Sequence, residues 1–302
     1  MRFADFAFSP SHTRAAPPST RYSLPATRYF LPRPMLHIGT GSWADPDYKK
    51  LLTAPGVPAR ERLRAYAAWF NHVEVNSSYY ATPKPETAAT WVEQTPAGFT
   101  FDIKLHRILS QSPKSAASNT LVETLLAGVE PLITANKLGA FLLVLPPRFT
   151  PDNHSLDELD TLVEKLRPHP LAVELRHSAW VDGDQRAETL AWYKARGVTW
   201  VAVDMPRIKG STLMPPLDEV TTPGLAYLRL HGRNPGYLEA KTAAEGHDYA
   251  YTARELTDLA KRIRGLEAKA THVHVIANNH AHDYAPRTAL ALRARLGGES
   301  SE

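Results

Sequence analysis

Four pairs of polar residues recur in this chain at a spacing of two, each inside a short apolar run: Glu74 with Asn76, Asp102 with Lys104, Glu174 with Arg176, and Arg229 with His231. In an extended strand residues i and i+2 share a face, so the members of each pair point the same way. Acids and bases gathered like this suit proton transfer. Glu174 is the first candidate, because burial raises a carboxyl pKa while a guanidinium such as Arg176 lowers it, which sets the group for transfer near neutral pH. His231, Lys104, Glu74 and Asp204 complete the catalytic set. Glu74 and Glu174 are the sort of carboxylate pair that cleaves glycosidic bonds. Lys104, if desolvated, is a Schiff-base former, although an ion pair to Asp102 or Glu74 is its expected state.

A second group would orient a ligand. Arg176, Arg229 and Arg233, with His177 beside them, supply the planar forks that grip carboxylate or phosphate. Asn76, Asn278, Asn279 and His282 follow apolar runs in binding positions, and Tyr80 and Trp180 offer rings to pack on a sugar or base. The partner read from these residues is a small polar molecule, anionic or sugar-like. Glu174, Asp204, His231 and His282 are hard or borderline ligands, so a divalent metal is a secondary option. They lack a diagnostic spacing, and no organic cofactor is implied. The competing structural account is a salt-bridge network of Glu74, Lys104, Glu174, Arg176 and Arg229 that simply fills space.

Eight apolar runs must position these groups: 36–39, 73–76, 101–104, 141–145, 172–176, 201–204, 227–231 and 273–278. Their starts are ~34 residues apart, the length of a strand, crossover helix and return. Eight such units close a (β/α)8 TIM-type barrel, with catalytic groups at the carboxyl ends of the strands. In 227–231 the leucines Leu228 and Leu230 share one face and Tyr227, Arg229 and His231 the other, so the polar face is expected to line the lumen. Residues 35–297 read as one α/β domain. Capping boxes at Ser155/Glu158 and Thr252/Glu255 open helices, Pro85 and Pro286 suit first turns, and Gly265 marks a helix stop. Residues 205–225, rich in proline and glycine, predict an irregular sixth crossover.

Charge and composition narrow the function classes. The net charge of +4 lies entirely in residues 1–34, where five arginines face one aspartate, leaving 30 basic and 30 acidic residues in the rest. A neutral globular part gives no support for binding nucleic acid. Residues 1–34 read as a disordered leader, or as an over-extended start with Met35 the true first residue, and 298–302 as a flexible tail. The leader has no apolar core, so it is not a secretory signal. No run approaches the length needed to span a membrane, and a cytoplasmic enzyme is expected. Cysteine is absent, which excludes thiol nucleophiles and disulfides. The sequence is silent on oligomeric state.

The same residues carry a resemblance. Ile38-Gly39-Thr40-Gly41-Ser42-Trp43, Phe70-Asn71 with Val73-Glu74-Val75-Asn76-Ser77-Ser78-Tyr79-Tyr80, the run 141–147, Val173-Glu174-Leu175-Arg176-His177 with Trp180, Arg229-Leu230-His231-Gly232-Arg233, and Asn278-Asn279-His280-Ala281-His282 with Tyr284-Ala285-Pro286 together resemble the DUF72 (YecE-like) family over 36–296. The family usually opens Gly-Thr-Ser-Gly-Trp, where this chain reads Gly39-Thr40-Gly41-Ser42-Trp43. The resemblance implies a TIM-barrel-like fold and carries no activity with it. Three readings of function therefore stand: an acid/base hydrolase or lyase, a metal-dependent isomerase or phosphoesterase-like barrel enzyme, and a non-catalytic ligand or nucleic-acid binding module.

Overall fold

Eight parallel strands form the wall of a nearly closed barrel: β1 (Met35–Thr40), β2 (His72–Val75), β3 (Thr100–Lys104), β4 (Leu138–Val144), β5 (Leu171–Glu174), β6 (Thr199–Asp204), β7 (Leu225–Leu230) and β8 (His272–Ala277). The computed structural model describes residues 34–45, 48, 57–116 and 120–297. Residues 1–33 of the leader expected over 1–34, and the tail at 298–302, lie outside these described residues. The strand order is β1-β8-β7-β6-β5-β4-β3-β2, so β1 and β2 face each other across the seam. Side chains stitch that seam. The Tyr66 hydroxyl accepts the Thr40 N–H and donates to the His72 carbonyl, both at 2.9 Å, and the Asn71 amide bonds Ile38 N–H and the Leu36 carbonyl at 3.2 and 2.9 Å.

The alternation read from sequence is the one the barrel uses. Leu228, Leu230, Val273 and Val275 are fully buried on the outer face, where helix 253–267 packs on β7 and β8 through Leu256, Leu259 and Ile263. Tyr227 and Arg229 point into the lumen and reach Glu74 on β2. Both capping boxes are formed, and Pro85 occupies a first-turn position. Gly265 is not a stop. The helix runs on to Glu267, and a side chain at 265 would meet open space, so nothing there demands glycine. The crossover between β6 and β7 has no helix, as its prolines dictate. It is tied down by Trp200 donating to the Leu217 carbonyl at 2.9 Å and by Arg262 gripping Asp218 at 2.7 and 2.9 Å.

Candidate functional site

At the carboxyl end of the barrel a buried ion network crosses the lumen. Arg229 gives two hydrogen bonds to Glu74, at 2.7 and 2.9 Å, and a third to Glu174 at 2.5 Å. Tyr227 adds a bond to Glu74 at 3.1 Å. The other Glu174 oxygen, Oε1, is ion-paired with Arg176 and lies 3.2 Å from His231 Nε2. Burial alone would raise the Glu174 pKa, but Arg176, Arg229 and His231 outweigh it and hold the carboxyl well below its usual range. The expectation of a glutamate poised near neutrality therefore fails: two guanidiniums win over desolvation. Burial also drives His231 down to about 3. It is a neutral imidazole, hydrogen-bonded to Asn278 at 3.1 Å.

Above this network opens a cavity of about 760 Å³. Lys104, Arg148, Arg176, Arg229 and Lys241 line it against Asp45. The two arginine charges from β7 and the end of β5 are offset by Glu74 and Glu174 beneath, so Lys104, Arg148 and Lys241 leave a positive surplus among the described residues. Lys104 does not make the expected ion pair. No carboxylate lies within 4 Å of its ammonium among the described residues, and the ammonium stands 4.8 Å from the centroid of the Tyr79 ring. Burial, then the charges of Arg229 and Arg176, lower its pKa to about 8 against the pull of Glu74 and Glu174. Asn76 and Asn278 complete the floor. Asn76 donates to the Gly41 carbonyl at 2.8 Å, while its Oδ1 is buried without a partner among the described residues. A Cβ at Gly41 would fall 2.5 Å from Asn76 and 2.9 Å from Asn278. Glycine at this position is what lets the two amides approach.

Several sequence candidates lie elsewhere. Asp204 faces the helix layer, since Val201 and Val203 share the register of Tyr227 and Arg229 and occupy the lumen side of β6. There it accepts two bonds from Arg233, one from Arg262 and one from Tyr251, all at 2.8 to 2.9 Å. Arg233 is thereby a partner of Asp204 and Glu255. Asn279 donates to the Tyr249 carbonyl and to Thr288, fastening the last helix. Trp180 is buried and stacked on Phe149, bonding its carbonyl at 2.7 Å. His177 caps the short turn at 178–181. His282 is exposed, 3.9 Å from Asp248, so Glu174, Asp204, His231 and His282 do not converge on one metal. Tyr80 does line the cavity, as an exposed ring at its rim.

The sequence reading missed Tyr237 and His247, which enter the cavity from the loop after β7. Tyr237 accepts a long bond from Arg176 at 3.5 Å, and His247 contacts His280 and the ring of His231. Neither has a strand phase or a motif to mark it. His37, His72 and His274 were also missed. These three buried histidines stand near the amino ends of β1, β2 and β8.

Comparison with known proteins agrees with this architecture. The UPF0759 protein YunF of Bacillus subtilis (strain 168) is 25% identical over 256 residues, 82% of this chain and 89% of that protein. The UPF0759 protein YecE of Escherichia coli (strain K12) is 33% identical over 175 residues, 56% of this chain and 59% of that one. A DUF72 family protein from Enterococcus faecalis V583 has a crystal structure similar to this one, with TM-score 0.79 and 27% identity, covering 87% of this chain and 96% of that one. One from Thermotoga maritima MSB8 gives 0.76 and 29%, covering 87% and 99%. Residues 37–302 match the family described as protein of unknown function DUF72, and the chain belongs to that family.

Proposed function

We propose that this protein is an enzyme, a hydrolase or lyase, that works by acid and base on a small anionic substrate held at the carboxyl end of the barrel, with Lys104 as the proton-transfer group. The observation that carries the reading is the state of Lys104. It lines a cavity with a cationic surplus, has no carboxylate within 4 Å among the described residues, and has a pKa lowered to about 8. An amine in that range takes a proton from a substrate near neutral pH far more readily than an ordinary lysine. The guanidiniums of Arg176 and Arg229 are held in place by Glu174 and Glu74, so they meet an anion without having to reorganise. The unpartnered Asn76 Oδ1 supplies an acceptor for a substrate hydroxyl or amine. Glu74 and Glu174 serve in this reading as positioning residues.

Calorimetric titration of the full chain with inorganic phosphate, citrate and a neutral hexose tests the ligand class. Binding of either anion, weakened at least about tenfold in Lys104→Met, is the expected result. Equal or tighter binding of the hexose would sink the anionic assignment, and anion binding unchanged in Lys104→Met would remove Lys104 from the site.

A further inference from the structure

The amino end of the barrel holds a second cluster that the mouth does not use. His37, His72 and His274 are buried, and one nitrogen from each lies within 4.8 Å of the other two. Beneath them Asp102 accepts from His72 Nε2 at 2.8 Å and from His274 Nδ1 at 3.0 Å. A carboxylate can only accept, so both of those nitrogens carry protons. The lone pairs then fall on His72 Nδ1 and His274 Nε2. The Thr100 hydroxyl sits between His72 Nδ1, at 2.7 Å, and His37 Nδ1, at 3.1 Å.

We propose that His37, His72 and His274 bind a divalent transition-metal ion of the zinc class at the amino end of the barrel, with Asp102 orienting two of the rings. Three observations join. The first is the ligand set: imidazoles suit zinc and its neighbours, and a carboxylate on the far nitrogen of a ligating histidine is the arrangement that fixes its tautomer and sharpens its basicity. The second is charge. Asp102 is buried, and among the described residues its ion-pair partners are His72 and His274, with no lysine or arginine. A buried carboxylate whose partners are imidazoles is balanced by a cation that binds their free lone pairs.

The third observation is access. A cavity of about 870 Å³ opens at this end of the barrel, lined by His37, Thr100, Gly139, Thr199, His272 and His274. It gives an ion an entry path and leaves a coordination position for water. Gly139 makes room for the cluster: a Cβ there would stand 2.5 Å from Asp102 and 2.8 Å from His274. On a tetrahedral zinc with bonds of about 2.0 to 2.1 Å, ligand nitrogens lie about 3.3 Å apart. Side-chain rotation that displaces the Thr100 hydroxyl would close the difference.

The test uses the full chain, stripped with a chelator and then dialysed against Zn²⁺ or Co²⁺ alone. The expected result is one ion per chain, with the intense visible absorption of four-coordinate Co²⁺. His37→Ala and His274→Ala should each weaken binding by more than the roughly 10- to 100-fold typical of outer-shell changes, and Asp102→Asn by that range. His282→Ala, on the exposed loop after β8, should leave binding unchanged. If the alanine variants do not fold, the wild-type cobalt spectrum decides. Less than one ion per chain, a six-coordinate spectrum, or binding that survives in both folded alanine variants overturns the proposal.

Discussion

Arg229 and Glu74 stand 155 residues apart in the chain and share two hydrogen bonds inside the barrel, at 2.7 and 2.9 Å. Strands β7 and β2 are separated along the wall by β8 and β1, so the pair spans the lumen and pins the two sides of the seam region together. Both side chains are at most 1% exposed, which makes the pair costly to break. Removing one member of a buried pair leaves an uncompensated charge, worth roughly 3–5 kcal/mol. Here Glu74 would be left without a cationic partner among the described residues, while Glu174 would keep Arg176. Arg229→Met should therefore lower the urea-unfolding free energy by at least about 3 kcal/mol. The triple change Arg229→Met, Glu74→Leu, Glu174→Leu should recover most of that loss. A single variant as stable as the parent would show that the network is not closed in solution.

The same network dictates how stability responds to acid. His231 is lowered to about 3 by burial, with Glu174 pulling the other way. The unfolded chain binds that proton near pH 6.5, whereas the folded chain refuses it down to about 3. The contribution is thus fully present above about 6.5 and is lost as pH falls, at about 1.4 kcal/mol per unit. Glu174, with its depressed carboxyl, adds a further loss that begins below its ordinary value of 4.5. The unfolding free energy should decline from about pH 6.5 and more steeply below about 4.5. His231→Gln should reduce the slope between those values by about one proton, and an unchanged slope would mean that His231 is already charged in the fold.

Much of this was legible in the sequence, and the reason is alternation. In β7 the two faces differ sharply, leucines against Tyr227, Arg229 and His231, so the lumen side could be assigned and Glu74 and Glu174 followed from the same rule. Strand β6 gave no such contrast. Thr199, Val201 and Val203 line one face, and Trp200, Ala202 and Asp204 the other, so nothing local shows that Asp204 points outward into Arg233 and Arg262. The histidine cluster was invisible for a different reason. His37 and His72 each sit alone near the start of their strands, His274 follows His272 at a spacing of two, and His37 and His274 become neighbours only through the β1–β8 register. His247 enters the cavity from a loop whose path is set by tertiary packing.

Lys104 gives a prediction independent of any substrate. Its pKa, lowered from 10.5 to about 8, means the folded state favours the neutral amine. Because the folded pKa lies below the unfolded one, this site weakens the fold where the unfolded lysine is charged, and stability rises with pH between about 8 and 10.5. Lys104→Met should accordingly stabilise the protein at pH 7. Acylation of Lys104 by acetic anhydride, which transfers an acetyl group to the neutral amine and releases acetate, followed by peptide mass spectrometry, should show a midpoint near pH 8. A midpoint at the ordinary lysine value would remove the basis for proton transfer by this group.

Gly41 tests the floor of the cavity without touching a charge. A methyl group there falls 2.5 Å from Asn76 Nδ2 and 2.9 Å from Asn278 Oδ1, closer than any side chain tolerates. Either asparagine must move, which breaks the bond from Asn76 to the Gly41 carbonyl or the one from Asn278 to His231. A displaced net hydrogen bond costs about 1 kcal/mol, so Gly41→Ala should fold with a modest loss in melting temperature. Phosphate or citrate binding at the mouth should fall at least about tenfold. Binding at the parent level would place the ligand elsewhere.

Asp204 separates structural from functional carboxylates. It lies on the outer face of β6, 2% exposed, and takes four hydrogen bonds from Arg233, Arg262 and Tyr251. These donors come from the loop after β7 and from the approach to and body of helix 253–267, so the carboxylate ties that helix to the wall. Asp204→Asn keeps the shape but removes the charge that two guanidiniums share, and should cost roughly 3–5 kcal/mol by the same reasoning as for the lumen pair. The cavity lies on the other side of the strand and does not include Asp204. Anion binding at the mouth, measured at a temperature where the variant is fully folded, should therefore stay within about twofold of the parent. A folded variant that has lost binding would return Asp204 to the list of groups that touch the ligand, and would require β6 to turn its other face to the lumen.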